Sequence, residues 1–200
     1  MELDKFDAAR NSLCGAIWLY ISTPYHSAAY LLACSCIEIV NALAPVASNK
    51  DRELSAKQCA SFKNFCFASN KSHETYNALY GTIRKKYNFL KHAASDPTKK
   101  DNIPERLTAS IIFLAIHDYI TLCGGMPVEA QVFEAWYIAT NPHKLQGGHD
   151  DYRAKLDILF PDITLVPHVQ QKEMCRRQIE KCVGMPELYM DERKPSPFPV

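Results

Sequence analysis

Leu107-Thr108-Ala109-Ser110-Ile111-Ile112-Phe113-Leu114-Ala115-Ile116-His117-Asp118-Tyr119-Ile120-Thr121-Leu122-Cys123 decides the fold class. Pro104 precedes this run and Gly124-Gly125 follows it, the punctuation of a helix start and a helix end. Within it the apolar residues leave no polar stripe. A helix that is apolar nearly all round needs other helices about it, so this one should be central, with Leu114 in the core.

The flanking segments supply those neighbours. Asp4 to about Ile21 carries Phe6, Leu13, Ile17 and Tyr20 on roughly one face. Thr23-Pro24 has the form of an N-cap and first-turn residue, predicting a second helix through His26, Leu31, Leu32, Ile39 and Leu43 that closes before Pro45. Ser55-x-x-Gln58 resembles a capping box and predicts a third helix to about Ser69. Ser72 opens a fourth, with Tyr76, Leu79, Tyr80, Ile83, Tyr87 and Leu90 at helical spacing. Downstream, Pro127 opens a helix that ends near Asn141-Pro142. Asp150 to Leu159 is a short helix, and Val169 to Val183 is a last one with its basic residues on the exposed side.

Composition agrees. There are seven glycines in 200 residues, about half the usual share, and Ala, Leu and Ile outnumber Val several-fold, which favours helix over twisted sheet. The expected fold is all-α: a single helical bundle over residues 1–185 with extra C-terminal helices, followed by an irregular, flexible tail over 186–200 that begins at Pro186.

Function is excluded more readily than assigned. Basic and acidic residues number 23 and 22, so no whole-protein field draws nucleic acid or membrane to the chain. The uncharged stretch from Asn11 to Ile37 is broken at residues 22–27, and neither apolar half reaches the ~20 residues of a membrane span. The N-terminus is acidic where a signal peptide would be basic, so a soluble, cytoplasmic protein is expected. No H-E-x-x-H, G-x-S-x-G, P-loop or dinucleotide fingerprint occurs, and no Glu is followed by His three residues on. No cofactor is expected. There is no C-x-x-C among the eight cysteines, and the pairs Cys59/Cys66 and Cys175/Cys182 stand about 10 Å apart on a helix, too far to bridge. Reduced thiols are the expectation.

One constellation carries chemistry. At about 100° per residue, Asn88 lies about 40° from Arg84, His92 about 80° from it, and Lys91 about 20° to the other side. Arg84, Asn88, Lys91 and His92 thus share a polar stripe opposite Leu79, Ile83 and Leu90. A cation to hold phosphate, an amide to orient and an imidazole to move a proton are the parts of an RNA-cleaving site. The same stripe also reads as a solvated face with a cation at the helix C-terminus. Glu38 interrupts an otherwise apolar helix, and Arg84 or His92 is its expected partner if the second and fourth helices touch. His117-Asp118 interrupts the central helix, where a satisfied core histidine is the expectation and a ligand the alternative. His143, His149 and Asp150 flank a Gly-Gly loop and offer a weaker alternative, a divalent-metal site.

The run Tyr87-Asn88-Phe89-Leu90-Lys91-His92 resembles the R-N-x-x-x-H signature of HEPN domains, helical bundles found in prokaryotic toxins, phage-defence proteins and RNA-processing factors. The string Asn88-Phe89-Leu90-Lys91-His92-Ala93-x-x-Asp96-Pro97 is also similar to a motif of uncharacterised bacterial proteins with first- and second-helix patterns like Ala16-Ile17-x-Leu19-Tyr20 and Ser27-Ala28-x-x-Leu31-Leu32-Ala33. The resemblance covers about residues 8–140. It implies a metal-independent RNase or toxin/defence-like site with His92 as acid/base, Asn88 as orienter, and Arg84, Lys86 and Lys91 as phosphate contacts. RNA or nucleotide, a homodimer and an adjacent-gene protein are the implied partners. The signature's arginine position holds Tyr87; Arg84 stands one helical turn too far from His92, and Lys86 has the spacing without the bidentate fork. The motif is degenerate, and the alternative expectation is a non-catalytic interaction or structural domain.

Overall fold

Asp4 starts the first helix by a reciprocal cap: its carboxylate accepts from the Asp7 N–H at 2.8 Å, and its own N–H donates to Asp7 Oδ2. In the computed structural model, which describes residues 4–47, 73–92, 100–123, 125–144 and 150–185, this helix is α1, Lys5–Ser22. The rest are α2 (His26–Ala47), α3 (His73–Lys91), α4 (Glu105–Cys123), α5 (Val128–Thr140), α6 (Asp150–Leu159) and α7 (His168–Val183), with short 3₁₀ turns at Pro142–Lys144 and Ile163–Leu165. No strand occurs among the described residues. The protein is an all-α helical bundle. The helix expected over residues 55–69 and the tail over 186–200 lie outside the described residues.

Two boundaries differ from the sequence reading. Thr23 closes α1 instead of opening α2: its N–H and its hydroxyl both donate to the Leu19 carbonyl, at 3.2 and 2.7 Å. The same hydroxyl accepts the Tyr25 N–H at 3.1 Å, so a threonine that can bond backwards to i−4 and forwards to i+2 serves the turn. α2 then begins at His26 and runs on to Ala47, through Pro45. In the last turn the proline forfeits one hydrogen bond at most, too little to end the helix there. Counted through Glu38, this helix passes the length and composition test for a membrane span over His26–Leu43, with a third of that window buried.

The core confirms the deciding run, with a qualification. Six consecutive residues of α4, Ile111 to Ile116, are buried, which an amphipathic helix cannot achieve. α4 packs mainly on α1, α2 and α5, and α1 packs on α2, α4, α5 and α7. The centre is shared because α1 carries Leu13, Ala16, Ile17 and Tyr20, all fully buried. α1 and α2 approach closely at Gly15, where an added Cβ would stand 3.2 Å from Leu32 Cδ1. α6 packs on α5, and the chain then reverses through Asp162, which has a positive φ of 54°, a conformation Asp tolerates better than most residues. α7 lies across α5 and α1.

α3 is attached mainly through α2. Ile83 and Tyr87, four residues apart, are buried, and the Tyr30 hydroxyl donates to the Ile83 carbonyl at 3.0 Å. Burying that face leaves the opposite one in water.

Candidate functional site

Two polar assemblies stand out, one anticipated by the sequence and one not. On α3, Arg84, Asn88, Lys91 and His92 are exposed, as the opposite burial of Ile83 and Tyr87 requires. Lys86 turns away from them. Its ammonium donates to Asp101 Oδ1 at 2.8 Å and to the Asn102 carbonyl at 2.6 Å. That hydrogen bond and charge hold the Asp101 carboxyl below its ordinary value. Lys86 therefore ties α3 to the segment that leads into α4.

Glu38 does meet α3, through other residues than Arg84 or His92. Its Oε2 accepts from the Tyr87 hydroxyl at 2.8 Å and from the Lys91 ammonium at 3.3 Å. Lys91 also lies 5.1 Å above the Tyr87 ring, and the hydrogen bond to Glu38 holds its ammonium above the ordinary value. The Glu38 side chain keeps 46% of its exposure, so it is a surface acid with a buried tyrosine for its firmest partner. Tyr87, at the signature's arginine position, is a packing and hydrogen-bonding residue.

The second assembly sits where α1, α2, α4 and α7 converge. Glu105, in the first turn of α4, uses a single oxygen, Oε1, to face three nitrogens: Lys172 Nζ at 3.1 Å, His26 Nε2 at 3.4 Å and His168 Nδ1 at 3.5 Å. Lys172 is only 9% exposed. It also reaches the Thr23 carbonyl at 3.4 Å and lies 4.8 Å over the ring of fully buried Tyr20. Tyr20 OH and His168 Nε2 are 3.4 Å apart.

Each charge state here follows from position. Burial pushes the Glu105 carboxyl up, but the hydrogen bond and charge of Lys172, aided by His168 and His26, outweigh it and hold it below its ordinary value. Burial is the larger effect at His26, whose Nδ1 is enclosed without a hydrogen-bond partner among the described residues. It lowers that imidazole against the upward pull of Glu105. Burial also pushes the Tyr20 phenol up, so it stays protonated.

Beside this junction a cleft of about 790 Å³ opens, lined by Tyr20, Glu105, Arg106, Ser110, Trp136, Tyr137, Thr140, Asn141, His143, His168 and others. Trp136 donates its indole N–H to the Gln171 carbonyl at 2.8 Å. Gln171 in turn donates to the Ile163 and Val166 carbonyls, which fixes the start of α7 against α5. The hydroxyls of Ser110 and Tyr137 are 2.9 Å apart.

The remaining sequence candidates fall as follows. His117 is partly exposed instead of enclosed in the core; its Nε2 lies 3.1 Å from Glu134 Oε1 and its ring packs on Phe113. Asp118 is buried. His143 is exposed on the cleft, Asp150 begins α6, and His149 lies outside the described residues. Among the described residues, no group of three His, Cys, Asp or Glu is placed to hold a metal ion. His26, His168 and Glu105 gather about an ammonium. The described cysteines are free thiols, and burial pushes Cys14 and Cys34 up to about 12.

Lys172 corrects the reading of α7, whose basic residues were all expected on the exposed side. It stands three residues before Cys175 and seven before Ile179, the two other buried positions of that helix, so its place on the apolar stripe was a signal available in the sequence. No family model, curated protein or solved structure matches this chain.

Proposed function

We propose that this chain is a HEPN-like, non-catalytic helical module that associates with RNA through the exposed face of α3. The observation that carries the reading is the division of α3 into two faces. Arg84, Lys85, Asn88 and His92 face water, while Tyr87 is buried and bonded to Glu38. Cations on an exposed helix face match a phosphate backbone and carry no sequence information. Tyr87 has no bidentate fork for a reacting phosphate, and Lys86 is engaged by Asp101 and Asn102, which supports association without cleavage.

The test is a fluorescence-anisotropy titration with short single-stranded RNA at low salt. Wild-type protein should bind, and affinity should fall as salt rises. Arg84→Ala should weaken binding and reduce the salt slope by about one, because one phosphate contact is lost. No cleavage should occur in wild type or in His92→Ala. RNA turnover lost in His92→Ala would replace this reading with a catalytic one, and absence of wild-type binding would end it.

A second reading, a protein-interaction domain, draws on a different surface. Ile158, Leu165 and Val169, from the end of α6 to the start of α7, are each about four-fifths exposed, and large exposed apolar side chains favour a protein contact.

A further inference from the structure

We infer that the cleft between α4, α5 and the start of α7 binds a phosphate monoester of nucleotide size, its phosphate on Arg106 and an N–H or O–H donor of the ligand on Glu105. The site is separate from the α3 face.

All the ion pairs of Glu105 fall on Oε1. Oε2 accepts no hydrogen bond from any described residue, although the carboxylate lines the cleft. Lys172 balances the Glu105 charge inside the protein, so the carboxylate offers an acceptor without presenting a full uncompensated anion to the ligand. Arg106, the next residue, also lines the cleft. Its guanidinium is exposed and makes no ion pair or hydrogen bond with any described residue. A planar fork with five donors and no partner beside a concave polar surface suits an oxyanion.

Phosphate is favoured over a single carboxylate by the number of hydrogen-bonding groups beside Arg106. The His143 and His168 imidazoles line the same cleft, and both α4 and α7 begin at it, adding the positive ends of two helices. The volume, about 790 Å³, lies in the range of cofactor-sized sites and exceeds what a bare anion fills. Tyr20 and Trp136 supply aromatic wall, and the Ser110 and Tyr137 hydroxyls supply further polar contacts.

Calorimetric titration with adenosine 5′-monophosphate, adenosine and inorganic phosphate tests the assignment. The monophosphate should bind in the millimolar range or tighter and at least about tenfold better than either fragment. Arg106→Ala should weaken it by about tenfold or more, with Arg106→Lys between, because a point charge replaces a fork. Arg106 is exposed, so both variants should keep the wild-type melting temperature, and Arg84→Ala should leave this binding unchanged. Three results would overturn the assignment: no heat of binding up to about 10 mM, a monophosphate affinity indifferent to Arg106, or inorganic phosphate binding as well as the nucleotide.

Discussion

The face of α3 and the junction at Glu105 both bring cations and imidazoles together, yet they are built in opposite ways. On α3 the groups lie within nine residues, from Arg84 to His92, on one helix exposed to water. At the junction, Tyr20 and His168 meet across 148 positions of sequence, and Lys172 reaches Glu105 across 67. Exposed charges keep their hydration whether or not they are paired, so each α3 group contributes little to stability. Charges withdrawn from water must be paired, so the junction binds four helices to one another. A polar face can be written along a helix, whereas a structural ion cluster is written across the fold.

The comparison breaks most visibly at Glu105. Glu105→Ala would leave the Lys172 ammonium enclosed beside Tyr20 with only the Thr23 carbonyl, and should cost roughly 2–4 kcal/mol in urea denaturation. That range sits below the full cost for a buried pair because Glu105 keeps about a third of its exposure. A loss no greater than an exposed pair's, about 0.5 kcal/mol, would make the junction ordinary surface.

Acid sharpens the contrast. His26 is lowered from 6.5 by burial, so the unfolded chain takes up the proton first and stability is lost as pH falls below 6.5. Glu105, held below 4.5, contributes stability present above 4.5 and lost as pH falls through its folded value. The melting temperature should fall in that order on acidification, and His26→Asn should remove the upper part alone. A melting temperature that rises between pH 7 and 5.5 would mean that Glu105 outweighs burial at His26.

The smallest effect belongs to α3. Tyr87→Phe removes the hydroxyl that donates to Glu38 and keeps the buried ring, so it should cost about 0.5–1.5 kcal/mol. A melting curve shifted as far as that of Glu105→Ala would show that α3 too rests on a withdrawn polar pair.

Most of the fold was legible in the sequence because helices announce themselves locally. The starts after Pro104 and Pro127, the span Asp150–Leu159 and the end at Val183 all follow from capping, proline and period. The α3 stripe was legible for the same reason: period 3.6 sorts Ile83 and Tyr87 from Arg84, Asn88 and His92. Thr23 was misplaced because a hydroxyl caps either side of a turn equally well by sequence. Lys172 was misplaced because a lysine on an apolar stripe looks like noise until its carboxylate is known.

The sequence by itself determined the all-α class, the buried run of α4 and the exposed α3 face, since each depends on neighbours within a few turns. Only the tertiary structure decided that Glu38 answers to Tyr87 and Lys91, that Glu105 gathers His26, His168 and Lys172, and that a cleft opens beside them. The physical reason is range. Periodicity and capping act over one or two helical turns, while the pairing of a buried charge depends on which distant segment the packed helices bring within about 3 Å.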